Sequence, residues 1–361
     1  MCSESIVLRH RARVPSRDGL EVLSLLLLCL SIAACGSSPP GSRAAQILSP
    51  RRPAGLSAII RPQRSEHRSA ALRAQNSSDP ANDYRFVFFD GTSGAFSTTI
   101  FGLNDNGVSV GNYFSDTLHG LVRTNQGTLQ TVDVPFSDAI GTDWRAVNNR
   151  GTIIGGWADP DFFVHGAVRS PAGAITRFDY PGAAETFPGG INDQGDIVGS
   201  HDQGDITGAG FLYRAGRFID LPDVPQAPQQ NYPAGINNSG VIAGNYLDSF
   251  DQSRFGFSHG YVLQDSQYTT FDFPGAFYTS VNAINDHGQV VGFYILPDGT
   301  EAGFIFDIRS NGFRSFSCPD AQPTDADAIN NRGQVGGICI TPDGAQGFVA
   351  TPANAEARQL D

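Results

Sequence analysis

The chain has 361 residues, with 36 acidic against 24 basic side chains and a formal net charge of −12. Every basic one is an arginine, glycine reaches 42 and proline 22. An apolar share of 40% with 25 phenylalanines excludes a disordered chain, the acidic, lysine-free composition makes a poor nucleic-acid binder, and the glycine and proline load argues against a helical protein.

Residues 1–80 carry 11 of the arginines and 5 of the acids, so residues 81–361 carry −18. Arg9, Arg11, Arg13 and Arg17 precede the apolar run Val22 to Ala34. At 13 residues it is short for a membrane span and suits the core of an export signal. It ends in Ile32-Ala33-Ala34-Cys35, which resembles the lipobox of bacterial lipoproteins. That resemblance implies a signal peptide over 1–34, acylation of Cys35 and a membrane anchor. Gly36 in place of an aspartate implies the outer membrane or cell surface. Residues 35–80 are rich in Ser, Pro, Ala and Arg without apolar periodicity, and read as a disordered tether.

From residue 86 to 351 one unit recurs six times. Its signature is aliphatic-Asn-(Asp/Asn)-x-Gly-x-x-x-Gly. The asparagine column is Asn104, Asn148, Asn192, Asn237, Asn285 and Asn330, and the first glycine column is Gly107, Gly151, Gly195, Gly240, Gly288 and Gly333. A period near 45 points to propeller blades or a solenoid. Each unit reads as four short strands. The Asn-(Asp/Asn)-x-Gly stretch is the first hairpin turn, with glycine at positive φ and the Asn or Asp side chain bonding local amides. The last unit stops after its third strand, and the missing fourth appears as Phe86–Asp90 before the first full unit. The expectation is an all-β, six-bladed β-propeller of four-stranded antiparallel blades, closed by residues 86–90, with 352–361 as a tail. With INxxGxIVG and HGFL-like motifs, 86–351 resembles the bacterial extracellular HAF-type repeat proteins, a likeness that implies fold and export but no activity. The eponymous histidine is kept at His119, His165 and His259, and Ala209, Ala302 and Gln346 replace it elsewhere.

Strand two–three loops and blade connections share one face of such a disc. The loops carry Asp116, Asp159, Asp161, Asp202, Asp205, Asp248, Asp251, Asp298, Glu301 and Asp343. The connections are read as adding Asp138, Asp143, Glu185, Asp223, Asp320, Asp325 and Asp327. An acidic rim is a docking face for a basic protein or a carbohydrate, or else simply solvated loops. Asp-rich turns such as NDQGD at Asn192 suggest calcium, but the full calcium-loop spacing is absent. The reading is of no cofactor, with calcium the one candidate, and the three histidines read as structural rather than as a zinc ring. No GxSxG, HExxH or phosphate-binding loop occurs. Trp144-Arg145, Trp157, Asp161-Phe162-Phe163 and the 222–233 insert break the repeat symmetry; their aromatics suit blade packing or, less well, a sugar platform.

Cys339 falls in the column of Tyr113, Trp157, His201, Tyr246 and Tyr294, and Cys318 in that of Tyr180 and Phe273. Two aromatics exchanged together for cysteines predict touching columns and, in an exported protein, a Cys318–Cys339 disulfide. The functional expectation is an exported, lipid-anchored, monomeric and non-enzymatic binding or scaffolding protein of the cell envelope. The alternative is an envelope polysaccharide hydrolase or lyase using acids at the propeller mouth.

Overall fold

The computed structural model describes residues 75–76 and 84–353, except 92–93, 205–207, 228–229, 249–256, 320, 322 and 342–343. The signal, Cys35, Asp205, Asp251, Asp320, Asp343, most of the tether and the end of the tail lie outside the described residues. No helix among those described is long and apolar enough to cross a membrane.

The architecture is all-β. A two-residue β1 (Gln75–Asn76) pairs with β2 (Tyr84–Phe89). The first repeat holds β3 (Ser97–Leu103), β4 (Ser109–Phe114), β5 (Leu118–Arg123) and β6 (Leu129–Thr131). The second holds β7 (Gly141–Val147), β8 (Ile153–Ala158), β9 (Val164–Arg169) and β10 (Ile175–Arg177). The third holds β11 (Glu185–Ile191), β12 (Ile197–Asp202), β13 (Ala209–Arg214) and β14 (Arg217–Asp220). The fourth holds β15 (Asn231–Ile236), β16 (Ile242–Leu247), β17 (Ser258–Gln264) and β18 (Gln267–Phe271), and the fifth β19 (Tyr278–Ile284), β20 (Gln289–Ile295), β21 (Glu301–Asp307) and β22 (Gly312–Phe316). The last has β23 (Thr324–Ile329), β24 (Val335–Thr341) and β25 (Gly344–Pro352).

Within each repeat the strands pair antiparallel in sequence order. In the last, β2 takes the fourth place: Phe86 opposes Ala350 and Phe88 opposes Phe348. Single parallel bridges, Ala345 to Ser97 and Leu118 to Gly141, tie neighbouring sheets. The first turn of each repeat places its column glycine where the reading put it. Gly107, Gly151, Gly195, Gly240, Gly288 and Gly333 all have φ between +72° and +86°, the left-handed region that a Cβ disfavours. In each turn that glycine's amide donates to the carbonyl of the column asparagine three residues earlier, at 3.0 to 3.2 Å.

The first strand of every repeat carries a register shift three residues before its asparagine, for example between Trp144 and Ala146. The fourth strands of the first two repeats are short, three residues each. At β6 and β10 a side chain ends the ladder: the Gly120 and Gly166 amides donate to the carboxylates of Asp133 and Asp179.

The apolar core is divided among the junctions between sheets. Phe86, Phe316, Phe348 and Ala326 join the fifth and last repeats; Ile100 and Leu121 join the first to Ala328 and Val349 of the last. Each such fully buried large side chain contributes about 1.5–3 kcal/mol. Trp144 and Trp157 lie at 0% and 1% exposure, so they are packing residues and no sugar platform.

Candidate functional site

The six column asparagines form a circuit. Asn104 Oδ1 accepts from the amides of Asn106 and Val108, which closes its own turn, while Nδ2 donates to the carbonyl of Asn148 in the next repeat. Asn148, Asn192, Asn237 and Asn285 each donate onward in the same way. Asn330 then donates to the Asn104 carbonyl, 226 residues back. Only an amide of this length both caps a turn and donates outward, which explains asparagine over aspartate in that column.

The next residue of each turn forms a second ring, and it alternates: Asp105, Asn149, Asp193, Asn238, Asp286, Asn331. Asn149 Nδ2 donates to Asp105 Oδ2 at 2.9 Å and Asp193 Oδ2 at 3.0 Å. Asn238 bridges Asp193 and Asp286 at 2.9 and 2.8 Å, and Asn331 bridges Asp286 and Asp105 at 2.8 and 2.9 Å. Backbone amides complete it, Asn149 to Asp193 Oδ1 and Asn331 to Asp105 Oδ1 among them. An amide nitrogen has two hydrogens and a carboxylate oxygen two lone pairs, so alternation satisfies every bond while keeping the negative charges apart. For Asp193 burial pushes the carboxyl pKa up, but donation from Asn149 and Asn238 outweighs it and the pKa is lowered. The atoms form a hexagon of nearly equal edges, so each lies ~2.9 Å from the axis; less an atomic radius, the opening is about that of a water molecule. A cavity of about 80 Å³, lined by these turns and the ends of the six first strands, lies on that axis.

The opposite end carries the loops of the predicted rim. Asp116 is exposed and its pKa is lowered to about 2 by Ser115 and then by His119. Asp159 Oδ1 accepts the amides of Asp161 and Phe163, Asp202 accepts that of Gly204, and Asp298 that of Thr300. Asp161 is exposed. Each kept histidine lies between two carboxylates: His119 between Asp133 (2.9 Å) and Asp116 (3.2 Å), His165 between Asp159 and Asp179 (both 3.4 Å), His259 between Asp272 (2.9 Å) and Asp248 (3.3 Å). Burial lowers the His119 pKa, yet bonding to Asp133 and Asp116 raises it overall; for His259 the Asp272 bond dominates and raises it.

These histidines belong to a set of rivets. His119, His165 and His259 stack on Tyr113, Trp157 and Tyr246. Where alanine replaces histidine, an aromatic from the preceding repeat takes over: Tyr180 on His201 and Phe273 on Tyr294, ring centroids 3.6 Å apart in both. At the last junction Cys318 and Cys339 occupy these two places, joined by a disulfide with Cα atoms 6.3 Å apart. A threonine six residues before the column asparagine backs the rivet: the amides of Tyr180, Phe273 and Cys318 donate to Thr186, Thr279 and Thr324. The sequence reading missed this column, although its fixed offset was there to be read.

Asp143, Glu185, Asp325 and Asp327 were read as connection residues on the rim, and this needs correction. They belong to the first strands β7, β11 and β23, and Asp143, Asp325 and Asp327 are buried. Glu301, read as a loop acid, begins β21. Side-chain partners rather than water engage Asp143 and Asp327. Asn112 donates to Asp143 Oδ1 at 2.9 Å, and Arg145 Nε lies 2.6 Å from its Oδ2. Asn282 donates to Asp327 Oδ1 at 2.7 Å. Arg145, Asn282, Asp327 and Phe101 occupy the register-shift position of their strands, and the Arg145 guanidinium lies 4.1 Å over the Phe101 ring. The same position holds Gly189 and Ala234 in the third and fourth repeats. Burial pushes the Asp327 carboxyl up, with Arg145 opposing, and Asp325 up further, with Asp327 and Glu301 adding to the effect. Among the described residues no three acidic, histidine or cysteine side chains converge to hold a metal ion.

Sheets, rivets and turn rings together define a propeller-like all-β repeat protein. No known family model matches the chain, and no curated protein matches it in sequence. Solved structures with related sheet arrangements include AofleA from Arthrobotrys oligospora (12% identity, 74% of this chain and 89% of that one, TM-score 0.49). A TolB, described as putative, from Agrobacterium tumefaciens matches at 14% identity, over 71% and 89%, with a TM-score of 0.46. The β-propeller domain of the Trilobed protease from Pyrococcus furiosus matches at 8%, over 74% and 84%, with a TM-score of 0.45. Likeness at this level carries no argument about activity or partners.

Proposed function

We propose that the chain is a six-bladed β-propeller, its ring sealed by β2, that serves as an exported, lipid-anchored and non-enzymatic binding scaffold of the cell envelope. The observation that carries the reading is the hydrogen-bond circuit that returns from Asn330 to Asn104. Six equivalent turns are committed to holding a rigid ring, and the rim acids Asp116, Asp159 and Asp298 are engaged by histidines or turn amides rather than left poised for proton transfer. A rigid disc with one end nearly shut offers its other, acidic end to partners, a basic protein or a carbohydrate. Cys35 is the proposed lipid attachment, with the outer membrane or cell surface as the site, and the disc acts as a monomer without a cofactor.

A second reading, a polysaccharide hydrolase or lyase, draws on one observation: half-buried Arg145 pairs with buried Asp143 and acts electrostatically on buried Asp327, a lopsided set of charges of the kind catalysis uses. Two assays on full-length protein decide. Labelled palmitate should mark the wild type and leave Cys35→Ser unmarked; a label on both overturns the anchor. Envelope polysaccharide incubated with the purified chain should gain no reducing or unsaturated ends; their appearance overturns the non-enzymatic reading.

A further inference from the structure

The face that carries the Asp/Asn ring is not sixfold. In four repeats the first-turn glycine is roofed by the end of its own third strand or the hairpin after it. A methyl group placed on Gly107, Gly151, Gly288 or Gly333 would meet Asn125, Pro171, Ile308 or Pro352 at 3.5 to 3.7 Å. Gly195 has nothing within 4 Å beyond its chain neighbours, and Gly240 has only Arg214 of the preceding repeat, at 3.8 Å. Hairpin length explains the gap. Residues 124–128, 170–174 and 308–311 join strands three and four in the first, second and fifth repeats. Two residues suffice in the third and fourth, Ala215-Gly216 and Asp265-Ser266, all four at positive φ. The notch left where those two repeats meet is a cavity of about 350 Å³, within the range in which proteins hold small molecules.

The third repeat lines this cavity with Gln194, Asp196 and Arg214, the fourth with Asn238 and Ser239. Asp196 and Arg214 form a charge pair that no other repeat has there, because the residue four beyond the column asparagine is elsewhere Val, Thr or Gln. Arg214 Nη2 donates to Asp196 Oδ2 at 2.8 Å, and the rest of the guanidinium has no partner among the described residues. Asp196 is 8% exposed; its Oδ1 accepts nothing among them, yet it is not sealed from solvent. Asn192, locked in the asparagine circuit, fixes this carboxylate: its Nδ2 donates to Asp196 Oδ2 at 3.2 Å and its Oδ1 accepts the Asp196 amide.

We propose that this cavity binds an uncharged saccharide unit through two neighbouring hydroxyls. A hydroxyl is both acceptor and donor, so one takes a hydrogen from the Arg214 guanidinium and the next gives its hydrogen to Asp196 Oδ1. The ion pair keeps that donor and that acceptor close enough for hydroxyls on adjacent carbons. Ser239 Oγ and Gln194 Oε1, neither hydrogen-bonded among the described residues, serve the other hydroxyls; Gln194 Nε2 is taken by the Asn238 carbonyl. Charge selects against ions. Arg214 and Asp196 neutralise one another, and Asn238 is bonded to the carboxylates of Asp193 and Asp286, so an anion meets three acids around one guanidinium. A cation meets the guanidinium itself. Preorganisation comes from Asn192 and Asp196, which hold the guanidinium before the ligand arrives. The site lies on the face opposite the acidic rim, so it goes beyond the docking reading above and does not depend on it.

The test is saturation-transfer NMR with calorimetry on the full chain. The probes are methyl glucosides, galactosides and mannosides, with glucuronate and calcium chloride as charged comparators. At least one neutral glycoside should bind, and Arg214→Met and Asp196→Asn should each weaken it about tenfold or more. Asp116→Asn, on the opposite rim, should leave it unchanged. Thermal melts establish that each variant folds. Ser239→Phe, which fills the notch and touches neither charge, should also abolish binding and takes the place of a variant that does not fold. The proposal is overturned if no neutral glycoside binds, if binding survives the substitutions, or if glucuronate or calcium binds in preference.

Discussion

Replacing Asn149 by aspartate changes almost no volume, yet it should be among the most damaging single changes in the protein. The amide Nδ2 donates to Asp105 and Asp193 at 2.9 and 3.0 Å. A carboxylate there donates nothing, and two hydrogen bonds to charged acceptors, each worth about 1.5–3 kcal/mol, are lost. Three carboxylate oxygens would then stand ~3 Å apart, where two unit charges repel by roughly 5 kcal/mol at an effective dielectric constant of 20. The new side chain escapes part of this by holding a proton, which means a raised pKa and a cost that grows with pH. In its protonated form the new carboxyl still donates one of the two bonds. The deficit should therefore be about 3–6 kcal/mol at pH 8 and about half that near pH 4.5. For a domain of this size it appears as a fall in Tm of ~6–20 °C at the higher pH. Thermal melts by circular dichroism at both pH values measure it, with Asp105→Asn, a mismatch without added charge, as the pH-independent comparator. An unchanged melt, or an equal deficit at both pH values, would refute the account of the ring.

The Cys318–Cys339 bridge spans 21 residues, and loop closure of that length is worth about 3 kcal/mol. Reductant should lower the Tm of the wild type but not of Cys318→Phe/Cys339→Tyr, which rebuilds the Phe273–Tyr294 stack; equal sensitivity of the two would refute the rivet. His119 and His259 have raised pKa values, so their contribution is full below about pH 6.5 and disappears as pH rises through the higher folded value. A plot of Tm against pH from 6 to 9 should fall less steeply for His119→Gln/His259→Gln than for the wild type, and parallel curves would count against the pairing.

What the sequence discloses is local and periodic. Asn104 and Gly107 act within one turn, so their chemistry can be read from a ten-residue window, and sixfold repetition removes chance. Cys318 and Cys339 were legible because substitution in two columns at once shows that the columns meet. The failures are non-local. Asp105 and Asn149 are 44 residues apart, and within either turn each looks like ordinary hairpin chemistry; their alternation shows only when successive repeats are read as neighbours in space. Asp143, Asp325 and Asp327 were misplaced because aspartate is depleted in strands. Asn112 and Asn282, which donate to Asp143 and Asp327, sit on other strands, where no sequence window pairs them; Arg145 is only two residues from Asp143, but a register shift lies between them.

A ring that alternates acid and amide has a parity. Add one repeat, or remove one, and somewhere two aspartates stand side by side, with the consequence worked out above for Asn149→Asp, or two asparagines do, with the uncharged mismatch of Asp105→Asn. Only an even number of turns can close without such a fault. The heritable module of this protein is thus a pair of repeats, the stretch of 88 residues from Asp105 to Asp193 or of 93 from there to Asp286. Lineages that lengthen or shorten the chain are expected to do so by twos.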